Sequence, residues 1–243
     1  METSSPKPFL RAEWRKLLMF NYAIDPEIVA PLVPKGTEID FFQNRTYLSV
    51  VGFMFQNTRL LGIGVPFHTH FEEVNLRFYI KRYENGELRR GVAFVKEIVP
   101  KPAISWVANT LYNEHYQTLS MAHEHQVLSS YLSVKYSWKA SQKWHQMSAE
   151  ALATPEEIPE GSEAEFITEH YWGYTRQNEN KTLAYQVAHP RWQVYPIQKF
   201  RIDCDFEQVY GKNFASSLYQ RPTSVLLAEG SPITVGFAQK LKQ

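Results

Sequence analysis

From Glu73 to Ile80 polar and apolar residues alternate without a break. Strand side chains point to opposite faces in turn, so Glu73, Asn75, Arg77 and Tyr79 share one face and Val74, Leu76, Phe78 and Ile80 the other. Asn85-Gly86 follows, a pair suited to positive φ, and Leu88 to Ile98 reads as the returning arm of a hairpin. Trp14 to Ile24 and Tyr47 to Phe55 are rich in aromatic and β-branched residues and predict strands. Between them Asp25-Pro26 has the form of an N-cap and first helical position, opening a short helix that ends near Pro31 or Pro34.

Further on, Pro102 begins a helix reaching about Tyr112. Val127 to Met147 predicts a second hairpin, and residues 148–163, acidic with Pro155 and Pro159, an exposed loop with room for one helical turn. Ala164 to Glu169 fits a short helix or the start of a strand. Tyr171 to Arg176 and Thr182 to Ala188 form a third hairpin, Trp192 to Ile197 and Ser224 to Phe237 late strands, and Phe206 to Leu218 one more helix. Many antiparallel strands with a few short helices predict an α+β domain, mostly antiparallel β, built on a barrel or cone.

The 243 residues suit one such domain, 1–243, with a polar tail at 1–8 and the acidic segment 148–163 as a connection inside it. A net charge of +1 supplies no long-range field for nucleic acid or an anionic membrane. The local pair Arg89-Arg90 reads as a solvated strand end. Cys204 has no internal partner, so nothing requires an oxidising compartment, and its neighbours Asp203 and Asp205 disfavour a thiolate. The N-terminus lacks the apolar region of a signal peptide, and no apolar run reaches about 18 residues, so the expected location is cytoplasmic.

The polar face of the Glu73 strand has two readings: the wet side of an ordinary sheet, or the lining of a polar cavity. In the second, Arg77 suits a carboxylate, which its fork binds bidentately.

The run Phe71-Glu72-Glu73-Val74-Asn75-Leu76-Arg77-Phe78-Tyr79 resembles the signature strand of the YqjF-like family of uncharacterised prokaryotic proteins. So does Thr168-Glu169-His170-Tyr171-Trp172-Gly173-Tyr174-Thr175, followed by His189-Pro190-Arg191-Trp192. The likeness runs from about Trp14 to Ile197. That family is similar to the acetoacetate decarboxylase superfamily, which implies an acetoacetate decarboxylase-like barrel or cone with an internal cavity. In the decarboxylase a pocket glutamate precedes valine, as Glu73 does here. The enzyme's Tyr-Pro-Lys-Lys then supplies a Schiff-base lysine and a second lysine that depresses its pKa. Matching tyrosines places Glu114 and His115 at those lysines, through Leu111-Tyr112-Asn113-Glu114-His115-Tyr116. No lysine occurs between Lys101 and Lys135. An imine mechanism is therefore not expected.

The resemblance leaves Glu73, Glu114, His115 and His189 as candidate acid/base residues. Asn75, Arg77, Tyr79, Tyr112, Glu169, Tyr174 and Trp192 are candidates for ligand contact. His189, before a proline, also suits a plain turn. The pairs His68/His70 and His123/His125 could each share a strand face, but neither forms a metal motif, so no metal is expected. No cofactor is expected either: Gly62-Ile63-Gly64-Val65-Pro66 lacks the later glycine of a phosphate loop, and no Gly-x-Ser-x-Gly elbow occurs. Two functions stay open: a module binding a small, carboxylate-bearing molecule, and an acid/base enzyme (hydratase, dehydratase or enolising type) acting on a small keto or carboxylic acid. Self-association is left open.

Overall fold

The computed structural model describes residues 8–241; the tail expected at 1–8 lies, for residues 1–7, outside the described residues. The chain begins with β1 (Leu10–Ile24), α1 (Pro26–Val29), a 3-10 turn at Ala30–Leu32, β2 (Glu38–Ile39), β3 (Thr46–Leu60), β4 (Phe71–Glu84), β5 (Glu87–Val99) and α2 (Pro102–Leu111). Next come β6 (Tyr116–Thr118), β7 (Ser120–Val127), β8 (Tyr131–Ala140), β9 (Lys143–Leu152), β10 (Glu156–Glu157) and α3 (Glu163–Thr168). The last third holds β11 (Trp172–Asn178), β12 (Lys181–Ala188), β13 (Gln193–Val194), β14 (Ile197–Asp203), α4 (Phe206–Tyr210), α5 (Lys212–Leu218), β15 (Ser224–Val235) and β16 (Gln239–Lys240).

The strands form two sheets. The larger has the order β10-β13-β15-β1-β3-β4-β5-β11-β12-β16, with β2 on β4 and β6 on β5; the smaller is β14-β9-β8-β7. The large sheet twists until β12 meets β15 through the pairs Val187–Val235 and Ala188–Thr234. It is a strongly twisted sheet whose ends touch over two residue pairs, rather than a strict barrel.

Both faces of β4 are buried, which removes the wet-face reading. Val74, Leu76, Phe78 and Ile80 pack toward the small sheet, against Leu132, Val134, Tyr136 and Trp138 of β8. The opposite face of β3, β4 and β1 joins Phe53, Phe55, Phe71 and Met19 to Phe166 and Ile167 of α3 and to Trp192. Local signals hold where expected. Asp25 Oδ1 accepts the Glu27 amide at 2.9 Å, and Asn85 and Gly86 both take positive φ, 52° and 82°.

Four expectations are corrected. The second hairpin is a three-stranded meander, β7-β8-β9, with its tight turn at Ser141-Gln142, where both φ values are positive; neither residue belongs to the Asn/Gly turn vocabulary, so the turn carried no signal. Residues 148–152 are not loop: Ala149 and Ala151 are buried and extend β9 against β14. Phe206 to Leu218 is two helices, broken at Gly211 with φ +95°, a conformation that glycine adopts at little cost. Trp192 to Ile197 pairs only over Gln193–Val194, and beyond Pro196 the chain enters β14 in the other sheet. Cys204 is buried, which together with Asp205 and Asp203 pushes its thiol up to about 12. No helix among the described residues is long and apolar enough to cross a membrane.

Candidate functional site

A cavity of about 240 Å³ opens on the α3 side of β4. Three residues of its floor come from the alternating face: Glu73, Asn75 and Arg77, which are 3%, 1% and 8% exposed. Opposite them β5 contributes Val92, Phe94 and Glu97. These three do not share a strand period, and a bulge reconciles them. Leu76 pairs with Lys96 but Arg77 pairs with Phe94, leaving Val95 as the extra residue. Val95 packs against the other core, so Phe94 and Glu97 both face the cavity.

Glu114 completes a cluster of three carboxyls. Asn113, with φ +55°, turns the chain after α2 and sends Glu114 inward and His115 out to solvent. Glu73 Oε1 accepts the Asn75 side-chain amide at 2.9 Å and Oε2 the Tyr116 hydroxyl at 3.0 Å. Glu114 Oε1 accepts the hydroxyls of Thr175 at 2.5 Å and Tyr185 at 2.8 Å. Tyr185 reaches it by lying over Gly173, where a β-carbon would sit 2.1 Å from the ring. Glu97 Oε2 has no hydrogen-bond partner. Burial raises all three carboxyls. Glu73 rises to about 7, with the Glu114 charge adding to burial, and Glu114 rises to about 7 against the hydrogen bonds from Thr175 and Tyr185. Glu97 goes well above the usual range, through burial and then the charges of Glu114 and Glu73.

Arg77 is treated differently by its surroundings. Its guanidinium lies 5.6 Å from the Tyr79 ring centre, and its Nη2 lies 3.9 Å from Met19 Sδ. Nε has no hydrogen-bond partner, and among the described residues no carboxylate lies within ion-pair distance. Nearby, His170 Nε2 is 3.5 Å from Asp40 Oδ2, and the ring packs on Tyr79 and Phe166. Burial lowers the His170 pKa to about 4. Asp40 is also buried, but His170, Arg90 and Lys81 hold its carboxyl below the usual range. Arg90, read from the sequence as a solvated end, reaches Asp40 Oδ2 at 3.1 Å.

A family model described as "Uncharacterized conserved protein (COG2071)", DUF2071, matches residues 11–232. The chain belongs to the DUF2071 family. It is 32% identical over 72 residues to the uncharacterized protein YqjF of Bacillus subtilis (strain 168), a segment that spans 29% of this chain and 30% of that relative. Among solved structures the DUF2071 chain is similar to the enduracididine biosynthesis enzyme MppR complexed with pyruvate (TM-score 0.69, 11% identity, 99% of this chain and 93% of that one). It is also similar to acetoacetate decarboxylase from Legionella pneumophila subsp. pneumophila str. Philadelphia 1 (0.62, 10%, 99% and 94%). A third likeness is to an acetoacetate decarboxylase-like enzyme from Sphingomonas wittichii RW1 (0.66, 10%, 100% and 98%). At these identities the likenesses establish the fold alone, which is acetoacetate decarboxylase-like.

Of the residues singled out in the sequence, the DUF2071 fold brings Glu73, Asn75, Arg77, Tyr112, Glu114, His189 and Trp192 to one cavity. His189 stacks on Trp192 with ring centres 4.2 Å apart, and Trp192 Nε1 donates to Ser231 Oγ at 2.9 Å. Four fall elsewhere. His115 is exposed, and only its carbonyl takes part, accepting the Glu97 amide at 3.2 Å. Tyr79 lies beneath the wall with its hydroxyl on Ser49. Tyr174 is sealed in the other core. Glu169 sits in a separate groove beside Arg89 and Tyr171, and its carboxylate accepts from the Tyr171 hydroxyl. Glu97, Tyr116, Tyr185 and His170 line the cavity without having been singled out; His170 stood in a quoted motif, but Glu97 sat unmarked in a strand run. No lysine lines the cavity among the described residues; Lys96 turns away and donates to the Val209 carbonyl. His123 is 2.7 Å from Glu72 and His125 is 3.1 Å from the Tyr136 hydroxyl. Among the described residues no three histidine, cysteine, aspartate or glutamate side chains are grouped to hold a metal.

Proposed function

We propose that this DUF2071 protein binds a small organic acid in the cavity, its carboxylate received by Arg77, and does so without a Schiff-base lysine. The observation that carries this is the buried, unpaired guanidinium of Arg77. A buried charge without a counter-ion is costly, and a ligand carboxylate would supply two parallel hydrogen bonds to the fork. None of the three glutamates lies within ion-pair distance of Arg77, and burial raises all three carboxyls, although the Arg77 charge partly opposes this at Glu73. The pyruvate bound by MppR is a carboxylate of the same class. An imine needs a neutral amine in the cavity wall, and the wall offers carboxyls instead. The reading takes the chain as one acetoacetate decarboxylase-like domain, supported by fold matches that cover nearly all of it. Calorimetric titration with pyruvate tests it: binding to the wild type should weaken at least about tenfold in Arg77→Met, the equivalent of about 1.4 kcal/mol. Equal affinity for both proteins would remove the role of Arg77.

A second reading, acid/base catalysis on a keto or carboxylic acid, is favoured by the placing of Glu73 and Glu114, whose carboxyls rise to about 7. Such groups can give and take a proton near neutral pH. Its test is deuterium uptake at the methyl group of pyruvate in heavy water, followed by proton NMR. Uptake above background that is lost in Glu73→Gln would establish an enzyme; background uptake would leave a binding module.

A further inference from the structure

Most of the cavity wall is apolar: beside the polar floor it is lined by aromatic and aliphatic side chains from Phe53 and Phe94 to Ile63 and Val65. We propose that the acid bound here carries a long apolar tail, laid from Arg77 along the aromatic wall to the loop between β3 and β4. This rests on the reading of Arg77 as the carboxylate receptor, and it adds the class of ligand.

The strand register orders the wall. Arg77 lies opposite Ser49 on β3, Glu73 opposite Phe53, and Phe71 opposite Phe55. On the other side of β3, Phe55 lies opposite Trp14, and Leu60 opposite Leu10. Polar groups thus run along the floor from Arg77 through Asn75 to Glu73, with Phe53 and Phe94 on the wall beside them. The Phe71 end holds a cluster in which Phe55 and Phe71 stack at 4.7 Å and Trp14 meets Phe55 edge-on at 5.9 Å. Arg77 to Phe71 is six residues of strand, about 20 Å at roughly 3.4 Å per residue. Beyond the aromatics come Leu60, Ile63 and Val65, which line the same cavity.

That far end is open. Ile63 is 70% exposed and Val65 46%, and their neighbours Leu61 and Phe67 are 61% and 86% exposed. Ile63 and Val65 both line the cavity and face solvent, as does Ala103 of α2, and they mark a largely apolar mouth to which the same loop adds the half-buried His68. A pyruvate-sized acid held at Arg77 would leave this stretch uncovered. The cavity of about 240 Å³ has room for roughly eight waters, and water against such a wall is readily displaced by an alkyl or aryl chain.

The test is a homologous series of straight-chain carboxylates, from acetate to dodecanoate, beside the matching 1-alkanols. Trp14 and Trp192 line the cavity, so their fluorescence reports occupancy alongside calorimetry. Affinity should rise about two- to fourfold per added methylene, the upper figure corresponding to about 0.8 kcal/mol per buried CH2. It should then level off once the tail reaches the mouth. Long acids should bind more tightly than the matching alcohols, and Arg77→Met should abolish that preference. Ile63→Asp, at an exposed position the core does not depend on, should weaken the longest acids and spare the shortest. Affinity that stays flat along the series while still depending on Arg77 would overturn the tail and leave the carboxylate reading standing. No binding of any acid, or acids and alcohols bound alike by the wild type, would overturn the carboxylate reading itself.

Discussion

His170 Nε2 lies 3.5 Å from Asp40 Oδ2, and the two side chains are sealed from solvent, 2% and 1% exposed. His170 forms part of the cavity wall while Asp40 sits behind it, tied also to Arg90 and Lys81. The sign of its pH dependence follows from burial. A histidine whose folded pKa is lowered to about 4 contributes stability above its ordinary value of 6.5 and loses it as pH falls toward 4. His170→Gln should therefore lose less stability than the wild type between those limits, by on the order of 3 kcal/mol. Denaturant melts of both proteins across that window check it; parallel curves would remove His170 from the acid response.

Glu114 acts in the opposite direction over an overlapping window. Its folded pKa is raised from 4.5 to about 7, so its stability contribution is present below 4.5 and is lost as pH rises through 7. Glu114→Gln keeps an oxygen for Thr175 and Tyr185 and cannot ionise. Between about pH 5 and about pH 8 the variant should gain on the wild type by on the order of 3 kcal/mol. A difference in unfolding free energy that does not change with pH would contradict the raised carboxyl.

Gly173 makes room for the Tyr185 ring that hydrogen-bonds Glu114. Gly173→Ala should cost about 1–3 kcal/mol through overpacking. Most of that cost should disappear when Tyr185 is already alanine. A double-mutant cycle measured by chemical denaturation reads the coupling, and additive costs would show that the ring is not what the β-carbon meets.

Incubation with acetoacetate and borohydride should leave the intact mass unchanged, because an imine needs an amine in the cavity wall and no lysine lines the cavity among the described residues. A reduced adduct mapped to any lysine would restore the imine route.

Much of this protein is legible in short stretches of sequence. The alternation from Glu73 to Ile80 specifies β4 and both of its faces, because a strand's period is a local property of the backbone. Asp25-Pro26 and Asn85-Gly86 announce a cap and a turn by their own side-chain and φ preferences. Resemblance along the chain pointed to the acetoacetate decarboxylase-like fold that the structural likenesses establish.

Other features depend on partners distant in sequence. The bulge at Val95, which puts Glu97 on the cavity face, exists only in the pairing of β5 with β4. The turn at Ser141-Gln142 is local, yet it follows no residue preference strong enough to read, whereas the split at Gly211 follows glycine's preference for ending a helix at positive φ. The turn at Asn113, with positive φ, sends His115 outward, while His170 is held in the cavity wall beside Asp40, which is far away in sequence. Sequence alone determined which residues could alternate, cap and turn, because those are nearest-neighbour energetics. Tertiary structure decided which of the ionisable groups share one buried space, because burial and charge are properties of everything that surrounds a side chain.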